Sequence, residues 1–366
     1  MIKLLIADDS ALMRKLLGAI FAAEGDFEIR FARNGKEALD LAKSFQPDVV
    51  TLDVHMPEMN GLDCLNRIMI ESPRPVVMVS SLTDDGAQVT LQALDLGAVD
   101  FVAKPAGAVS LEIDEMRPVL VETIRTAARA KLRKSLRLRD RVRYRMDQGK
   151  SAAPSPSIPV VPRRARKSSA AEAAADIPGL ILIGASTGGP PAVEAVIAKL
   201  PQDLAWPVLV AQHLPASFTG AFARRLDGLC ALRVVEVSQP TPLRPGHVYI
   251  GRGDADIMVA PRPSGPIALS VPPGADYPWH PSVERMVMSA LAHFAAASLI
   301  GVMLTGMGSD GARAMTRLKQ EGGRTIAEAE STAVVWGMPG ELVKHGGADM
   351  VVPLGQIGPA VLEMMN

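Results

Sequence analysis

Short apolar runs alternate with helix-length amphipathic segments throughout residues 1–130, and this alternation restricts the fold more than any other feature of the sequence. The predicted strands are 3–7, 27–31, 48–52, 75–79 and 100–104, and the predicted helices are 11–23, 35–44, 61–71, 84–96 and 111–130. Consecutive strands that are separated by helices form a parallel sheet that is covered on both faces. We therefore predict a (βα)5 α/β domain whose ligands lie at the carboxyl ends of its strands.

The composition changes sharply after this first domain. Ten Lys or Arg residues and a single acid lie between Arg125 and Arg145, and a segment rich in Pro, Ser and Ala follows. Such a segment cannot bury enough apolar surface to offset the entropy that ordering would cost, so it is predicted to be a linker. The basic run is predicted to extend the last helix of the first domain as a solvated face, with an acidic or anionic partner as the alternative. We predict domains at 1–130 and 178–366, joined by a linker at 131–177.

The overall composition excludes several classes of protein. The 366 residues include 39 Lys or Arg and 39 Asp or Glu, so the formal net charge is zero, and 48% of the chain is hydrophobic. This balance argues against a protein that coats nucleic acid or membranes, and against dominant disorder. The two cysteines, Cys64 and Cys230, provide neither a disulfide framework nor a cysteine zinc site. Two aspartates follow the N-terminus too soon for a signal peptide, and the apolar stretch at 290–304 is too short to span a membrane. We therefore expect a cytoplasmic protein without membrane insertion.

The second domain shows a less regular alternation. The runs G-L-I-L-I-G and W-P-V-L-V-A-Q each lead into a predicted helix, and a β-rich insertion with many Pro and Gly residues is predicted at about 232–271. The elements predicted after it are helix 282–296, strand 299–304, helix 310–321 and a last strand at about 349–353. This pattern predicts a doubly wound α/β domain that carries a β-rich insertion.

Carboxylates and other polar groups follow the strands of the first domain. Asp8 and Asp9 follow the first predicted strand, and Asp53 follows the third. If these strands are neighbours the carboxylates converge, and their mutual repulsion favours a bound cation, for which oxygen ligands indicate Mg²⁺. Ser80 and Lys104 end the fourth and fifth strands and provide a hydroxyl and an ammonium for a phosphoryl group on Asp53. One such aspartate would be a helix cap or loop residue, but matched groups at successive strand ends favour a phosphoacceptor site.

These positions resemble the receiver domain of response regulators. The matching motifs are I-A-D-D-S, D-V-H-M-P-E-M-N-G, V-S-S-L and D-F-V-A-K-P. The resemblance implies a flavodoxin-like fold, phosphorylation of Asp53 by a sensor histidine kinase, and Mg²⁺ held beside Asp53 by Asp8 and Asp9. It also implies that Ser80 and Phe101 form the switch pair that couples phosphorylation to the protein surface. A cis peptide bond is expected before the proline of the last motif.

A second group of reactive side chains lies at the predicted strand ends of the C-terminal domain. Ser186 lies in G-A-S-T-G, a G-x-S-x-G turn between a strand and a helix, which presents a serine beside a helix N-terminus. A serine nucleophile needs a base and a third group that orients the base. His213 follows the next strand, and Asp310 lies in a glycine-rich turn after strand 299–304, where it is also a candidate helix N-cap. The backbone amide of Met307, in the same turn, is a candidate to stabilise an oxyanion.

Other candidate groups favour structural roles. His293 lies in an apolar helical stretch and is predicted to be a core residue, whereas His345 lies near a helix C-terminus, where its charge suits the helix dipole. The loop at Ser186 lacks both the G-x-G-x-x-G and the K-[ST] of phosphate-binding loops. Asp254 and Asp256 suggest a metal site, but an isolated D-x-D in a hairpin is usually a turn.

Nearly all of residues 178–353 resemble the catalytic domain of the CheB family of chemotaxis protein-glutamate methylesterases. The matching motifs are G-A-S-T-G-G-P, Q-H-L-P-A-S-F-T, P-S-V, L-T-G-M-G-S-D-G and T-I-A-E-A-E-S-T-A-V-V-W-G-M-P. The resemblance implies that Ser186 is the nucleophile, His213 the base, Asp310 the acid and the Met307 amide the oxyanion donor. The implied substrate is a glutamyl γ-methyl ester on the cytoplasmic helices of a chemoreceptor, which is hydrolysed to glutamate and methanol. Some members of the family also deamidate receptor glutamines.

Two positions depart from the family pattern. The usual H-R-P-S-V is W-H-P-S-V here, which places His280 where arginine is common, and the usual G-M-P-[KR]-E has Gly340 at its basic position. Charges at the rim of a site steer encounters with protein partners, so these differences concern receptor specificity. They leave the three predicted triad residues unchanged.

Together the patterns predict a phosphorylation-regulated serine hydrolase of chemotaxis adaptation, with Mg²⁺ in the receiver domain and no metal for ester hydrolysis. One alternative is a receiver-regulated transcription factor that binds DNA through the basic run at 125–145. That alternative needs a helix-turn-helix, for which the second domain shows no pattern, so no nucleic-acid partner is expected. The other alternative is a non-catalytic scaffold, against which the complete triad argues.

Overall fold

The chain divides into two units, Met1–Ser151 and Ala152–Asn366. The computed structural model describes residues 1–80, 84–104, 111–132 and 177–365. The predicted linker at 131–177 lies almost wholly outside these ranges, so its limits stay a prediction, and the proline expected to follow a cis bond also lies outside them. Within the described ranges, no helix combines the length and the apolar character that crossing a membrane requires.

Five parallel strands alternate with five helices in the N-terminal unit. The strands are β1 (Ile2–Ala7), β2 (Phe27–Ala32), β3 (Val49–Asp53), β4 (Val76–Ser80) and β5 (Asp100–Ala103). The helices are α1 (Ala11–Glu24), α2 (Gly35–Ser44), α3 (Gly61–Glu71), α4 (Asp84–Leu96) and α5 (Leu111–Ala128). The strand order is β2-β1-β3-β4-β5, which confirms the predicted flavodoxin-like fold.

Local sequence explains where these elements begin and end. β3 and β4 are buried along their whole length, which is why they appear in the sequence as continuous apolar runs rather than as alternating ones. Ser10, Asn34 and Asn60 precede the first three helices, and the side chain of each accepts a backbone N–H from the first turn of its helix. The helices therefore start close behind the strand ends, where the polar side chains lie.

The last helix was predicted to extend through the basic run, and this prediction is wrong for the described residues 129–132. Helix α5 ends at Ala128, and residues 129–132 are not helical. Arg125, the first cation of the run, forms ion pairs with Glu24 at 3.1 Å and Asp26 at 2.9 Å. This cation therefore fastens α5 to the end of α1 instead of contributing to a free solvated face.

The C-terminal unit contains a seven-stranded parallel sheet and a separate three-stranded antiparallel sheet. The large sheet has the order β15-β14-β13-β6-β7-β10-β8, and the small one has the order β11-β12-β9. The strands are β6 (Leu180–Ala185), β7 (Val208–Gln212), β8 (Arg233–Val237), β9 (Thr241–Pro242), β10 (His247–Gly251), β11 (Asp256–Ala260), β12 (Ile267–Val271), β13 (Leu299–Met303), β14 (Arg324–Glu328) and β15 (Met350–Val352). The helices are α6 (Gly189–Ile197), α7 (Ala216–Leu229), α8 (Val283–Leu291), α9 (Ala312–Gln320), α10 (Met338–Lys344) and α11 (Leu354–Met364).

The doubly wound fold is confirmed, but the insertion is smaller than predicted. Within 232–271, strands β8 and β10 belong to the main sheet, where β10 pairs in parallel with both β7 and β8. Only β9, β11 and β12 form the additional sheet. Short apolar runs do not distinguish a parallel strand from a hairpin strand, and β14, whose ends are the charged residues Arg324 and Glu328, was not predicted at all.

The helix predicted at 282–296 is also shorter than expected. Helix α8 ends at Leu291, and the backbone N–H groups of His293 and Phe294 both donate to the carbonyl of Ala290. His293 is exposed, so its predicted place in the core is wrong. The apolar residues after the helix mislead the periodicity because they lead into the buried strand β13.

In both large sheets the chain changes direction at a central strand. β1 lies between β2 and β3, and β6 lies between β7 and β13. At such a point the two connections leave the carboxyl end of the sheet in opposite directions, which opens a crevice for ligands. The candidate functional residues of each unit lie at this point of its own sheet.

Candidate functional site

The acidic residues of the N-terminal unit converge at the carboxyl end of its sheet. Asp8 and Asp53 are buried, with exposed fractions of 1% and 2%, whereas Asp9 is exposed. Oxygen atoms of the three carboxylates lie within 4.8 Å of one another. Lys104 places its Nζ 3.0 Å from Asp8 Oδ2 and 2.7 Å from Asp53 Oδ2. Gly61 lies against the backbone at the end of β3, where a side chain would collide with the backbone oxygen of Asp53.

Asp53 receives few hydrogen bonds for a buried carboxylate. Burial raises the pKa of Asp53 above its ordinary value, and the hydrogen bond from Lys104 opposes this effect without cancelling it. The backbone N–H of His55 donates to Asp53 Oδ1 at a long 3.3 Å. Although burial acts in the opposite direction, the hydrogen bond to Asp53 raises the pKa of Lys104. Three clustered carboxylates with this charge distribution suit a hard divalent cation such as Mg²⁺.

The remaining predicted residues of this unit lie beside the cluster. Ser80, 1% exposed, ends β4, and its carbonyl accepts the backbone N–H of Lys104 at 2.7 Å. Phe101 is buried at 8% exposure in β5 and is in register with Met78. The structure thus places Ser80 at the strand end next to Asp53, and Phe101 further down the neighbouring strand.

In the C-terminal unit, strand pairing brings Ser186 and His213 to adjacent places. Each follows a strand directly, and the last residues of those strands, Ala185 and Gln212, are in register. The Gln212 amide nitrogen donates to the carbonyls of Ser186 and His213 at 2.9 and 3.1 Å, which ties the two strand ends together. Gly189 leaves room for this buried side chain, since a Cβ there would overlap it.

The turn that contains Met307 lies against Ser186 from the other side. The backbone N–H of Ser186 donates to the carbonyl of Thr305 at 3.0 Å. A Cβ on Gly306 would lie 2.8 Å from the Cβ of Ser186, so only glycine permits this approach. The buried hydroxyl of Thr305 donates to the Thr187 carbonyl at 2.9 Å. Thr305 and Gly306 thus contact Ser186 directly, and Met307 is the next residue of the turn.

His213 is fixed by Asp310, although the two residues are 97 positions apart. The imidazole Nε2 lies 2.9 Å from Asp310 Oδ2, and both side chains are less than a tenth exposed. Nδ1, on the other side of the ring, is buried and has no hydrogen-bond partner among the described residues. The indole of Trp279 stacks on the imidazole with centroids 5.9 Å apart and an interplanar angle of 15°. The ring is thus held on one edge and one face, and Nδ1 remains available.

The sequence suggested that Asp310 caps the helix that follows it, but the structure shows that it does not. That helix begins at Ala312 rather than 310, after Gly311 with a φ of 81°. Instead, Asp310 accepts the first N–H groups of α8, from Val283 at 2.7 Å and Glu284 at 3.0 Å. Glu284 in turn accepts the N–H of Ala314 in α9 at 3.1 Å. The carboxylate of Asp310, just before α9, therefore lies at the N-terminus of α8, and the carboxylate of Glu284 in α8 lies at the N-terminus of α9. A negative charge is favourable at both places.

These contacts determine the charge of Asp310. Burial favours the neutral form, but the hydrogen bond and charge of His213 and the two backbone N–H groups outweigh it, so the pKa of Asp310 lies below its ordinary value. The hydroxyl of Ser282 adds a further hydrogen bond at 3.1 Å. Asp310 is a stable carboxylate that orients the imidazole.

One buried charge near this group was not predicted from the sequence pattern. Asp256 is fully buried at the start of β11, whereas Asp254, two residues earlier, is exposed and pairs with Arg252 at 2.7 Å. His280 and Arg285 both bind the carboxylate of Asp256. The turn predicted for the D-x-D therefore holds for Asp254 only. The apolar run I-M-V-A after Asp256 was the available signal that this residue starts a buried strand.

Comparison with known proteins agrees with both units. The family model described as CheB methylesterase matches residues 181–361, and the response regulator receiver domain model matches residues 4–113. A protein named protein-glutamate methylesterase/protein-glutamine glutaminase 2 from Rhodopseudomonas palustris is 64% identical over 367 residues, covering 100% of this chain and 99% of the relative. A similarly named protein 3 from Rhodospirillum rubrum is 50% identical, covering 98% of this chain and 94% of the relative.

Two solved structures from Thermotoga maritima each correspond to one unit. The CheB methylesterase catalytic domain is 33% identical and covers 51% of this chain and 98% of its own, with a TM-score of 0.49. The CheB response regulator domain is 44% identical and covers 36% of this chain and 98% of its own, with a TM-score of 0.34. The resemblance stated from the sequence motifs is confirmed by the family models and the full-length relatives. The chain belongs to the CheB methylesterase family, with a response regulator receiver domain preceding the methylesterase domain.

Proposed function

We propose that Ser186, His213 and Asp310 form the triad of a protein-glutamate methylesterase. The observation that carries the proposal is the state of His213. One ring nitrogen is bound to a stable carboxylate, while the other is buried and has no hydrogen-bond partner among the described residues. His213 also follows a strand whose last residue is in register with the residue before Ser186. A base that is oriented by an acid and has a free nitrogen is what an unactivated serine requires. In structures without substrate the bond between serine and base is often long, so its absence here agrees with the proposal.

In the proposed mechanism each proton transfer passes through Nδ1 of His213. Nδ1 of His213 takes the proton of Ser186 as Oγ bonds to the ester carbonyl carbon, and the resulting oxyanion lies near the Met307 amide. The imidazolium then donates this proton to the methoxy oxygen as the C–O bond breaks, and methanol leaves. Water loses a proton to Nδ1 as it attacks the acyl-enzyme, which releases glutamate and restores the serine. Asp310 keeps its charge throughout and stabilises the imidazolium.

Family membership and the names of the relatives support the substrate. As a CheB methylesterase, the protein hydrolyses glutamyl γ-methyl esters of chemoreceptors during chemotaxis adaptation, and its site of action is the cytoplasm. The relatives are also named protein-glutamine glutaminase. The same acyl-enzyme route converts glutamine to glutamate when ammonia replaces methanol as the leaving group.

The receiver domain supports regulation by phosphorylation. Asp53 is the proposed acceptor of a phosphoryl group from a sensor histidine kinase, and Asp8, Asp9 and Asp53 would hold the Mg²⁺ ion. When bound, Mg²⁺ would neutralise negative charge on the phosphoryl oxygens. Lys104 already lies within hydrogen-bond distance of Asp53 and is positioned to bind a phosphoryl oxygen, as Ser80 is at the next strand end.

The decisive test is Ser186→Ala, assayed by methanol release from methylated receptor membranes. We expect a loss of about 10⁶-fold in kcat, which is the effect of removing the serine from the Ser-His-Asp triad of a serine protease on a different fold. Ser298→Ala is the matched control, since Ser298 precedes β13 at the opposite end of the same sheet. Retention of methanol release by Ser186→Ala would refute the proposal.

A further inference from the structure

Asp256 is a buried side chain outside the proposed triad that has hydrogen-bond donors on both carboxylate oxygens. Its carboxylate is fully buried. Oδ1 accepts the backbone N–H of Ser282 at 2.6 Å and lies 2.9 Å from His280 Nδ1. Oδ2 accepts the N–H of Gly274 at 3.1 Å and binds the guanidinium of Arg285. A buried carboxylate with donors on both oxygens fixes whatever segment supplies those donors.

All of these donors come from one segment, residues 272–285. Arg285 adds a second tie within it, because its guanidinium also donates to the carbonyl of Pro272 at 2.9 Å. The segment has no regular structure before α8, so its hydrogen bonds to Asp256 replace those that a helix or strand would provide. Asp256 thus connects β11 to an irregular loop and to the first turn of a helix.

The same segment contacts His213 directly through Trp279 and contacts Asp310, the other support of the imidazole, through Ser282. Trp279, which stacks on the imidazole, directly precedes His280. Ser282 donates its hydroxyl to Asp310 Oδ1 at 3.1 Å while its backbone N–H binds Asp256. A continuous hydrogen-bonded path therefore leads from Asp256 through Ser282 and Asp310 to Nε2 of His213.

We propose that Asp256 is a positioning residue of the hydrolytic reaction, which sets the orientation of His213 through Ser282 and Asp310 on one side and through Trp279 on the other. The inference rests on the proposed function of the triad. It assigns to Asp256 no contact with substrate. Small displacements of a base relative to its nucleophile cost large factors in rate, so a residue that determines this placement affects kcat rather than substrate binding.

Asp256→Asn in the full-length protein tests the inference, with Asp254→Asn as the matched control. The asparagine keeps the shape but presents an amide N–H₂ to donors that need an acceptor. We expect kcat for methanol release to fall between about 10- and 100-fold, with little change in KM for receptor membranes. The proton on Nε2 of His213, which lies in the hydrogen bond to Asp310, should shift or broaden in the NMR spectrum. Asp254→Asn should match the unmodified protein in both measurements.

A second variant covers the case in which Asp256→Asn fails to fold. Ser282→Ala removes the hydroxyl bond to Asp310 but keeps the backbone bond to Asp256, and we expect a smaller fall in kcat with KM unchanged. In the double variant the two effects should be less than additive, because both act through one path. If both folded variants keep their kcat and NMR signal while Ser186→Ala abolishes methanol release, the inference fails and the proposed function stands. If Ser186→Ala keeps its activity, the proposed function fails first.

Discussion

The two units place carboxylates at the same point of their sheets but give them opposite surroundings. Asp53 ends β3 and Asp310 follows β13, each on one side of the strand at which its chain changes direction. Asp310 accepts two helix N–H groups and a hydroxyl and binds an imidazole. Asp53 has one long backbone hydrogen bond and shares Lys104 with Asp8. The pKa of Asp310 is accordingly lowered, whereas burial raises the pKa of Asp53.

This difference suits Asp310 to its proposed orienting role and Asp53 to its proposed role as phosphoacceptor. A carboxylate whose lone pairs are all engaged is stabilised and is a poor nucleophile. One that is buried with few donors and close to a second carboxylate is stabilised when a cation binds, and keeps an oxygen for reaction. The fold places a carboxylate at the same strand end in both units, and the number of hydrogen-bond donors around it determines which reaction role the carboxylate suits.

Among substitutions of these two carboxylates, Asp310→Asn should have the largest effect. The amide cannot accept all the donors around it and holds the imidazole in the wrong tautomer, so we expect kcat to fall about 10⁴-fold. Methanol release from receptor membranes measures this, with the exposed Asp203→Asn as control. If kcat for methanol release falls by the same factor in Asp310→Asn and in Asp203→Asn, the result contradicts an orienting role for Asp310.

Asp53→Asn should leave this chemistry intact and remove its regulation. The side chain can no longer form an acyl phosphate, so the ratio of methanol release with and without a small-molecule phosphodonor should fall to about one. Basal release should remain. Asp40→Asn, an exposed aspartate on α2 in the same unit, is the control that should keep the full response. A phosphodonor response that survives in Asp53→Asn would place the acceptor elsewhere.

Removal of divalent cations separates the two sites by a different route. The three-carboxylate cluster lies in the receiver unit, and the hydrolysis proposed above uses only His213 as the base and the Met307 amide as the oxyanion donor. A chelator should therefore abolish the phosphodonor response and leave basal methanol release unchanged, and added Mg²⁺ should restore the response. The contrary outcome is a basal rate that falls with chelation and recovers with Mg²⁺.

The sequence predicted the polar strand ends better than the contacts between them. Apolar runs followed by Asp8, Asp53, Ser186 or His213 are local features, and the parallel sheet converts them into neighbours. The roles of Ser282 and Asp256 depend on bonds between segments more than twenty residues apart, which no local pattern encodes. Asp310 and helix α8 were both predicted, but their contact was not. The sequence suggested Asp310 as a cap of the helix that follows it, whereas Gly311 separates it from that helix and its carboxylate binds the first turn of α8 instead. Resemblance to known families, rather than periodicity, identified the substrate.

The smallest effects are on stability, and they should have opposite signs in the two units. Because the pKa of Asp310 is lowered by folding, its carboxylate stabilises the fold at pH values above the ordinary pKa of 3.8. This contribution is lost as the pH falls through the pKa of the folded state. At pH 7, Asp310→Asn should therefore lower the melting temperature of the C-terminal unit, by about 2–4 °C for each kcal/mol lost. This deficit should shrink in acid, below the ordinary pKa.

Asp53 should show the reverse. Its raised pKa means that the neutral form stabilises the fold at low pH and that this contribution is lost as the pH rises through the folded-state value. Asp53→Asn should thus raise the melting temperature of the receiver unit by a few degrees at pH 7 in metal-free buffer.

Scanning calorimetry of the full-length variants, with Asp40→Asn and Asp203→Asn for comparison, measures both shifts. Because Mg²⁺ binds the charged carboxylates, adding it should stabilise the unmodified receiver more than Asp53→Asn and reverse the order. If both substitutions lower the melting temperature in metal-free buffer, the contrast between the two carboxylates does not hold.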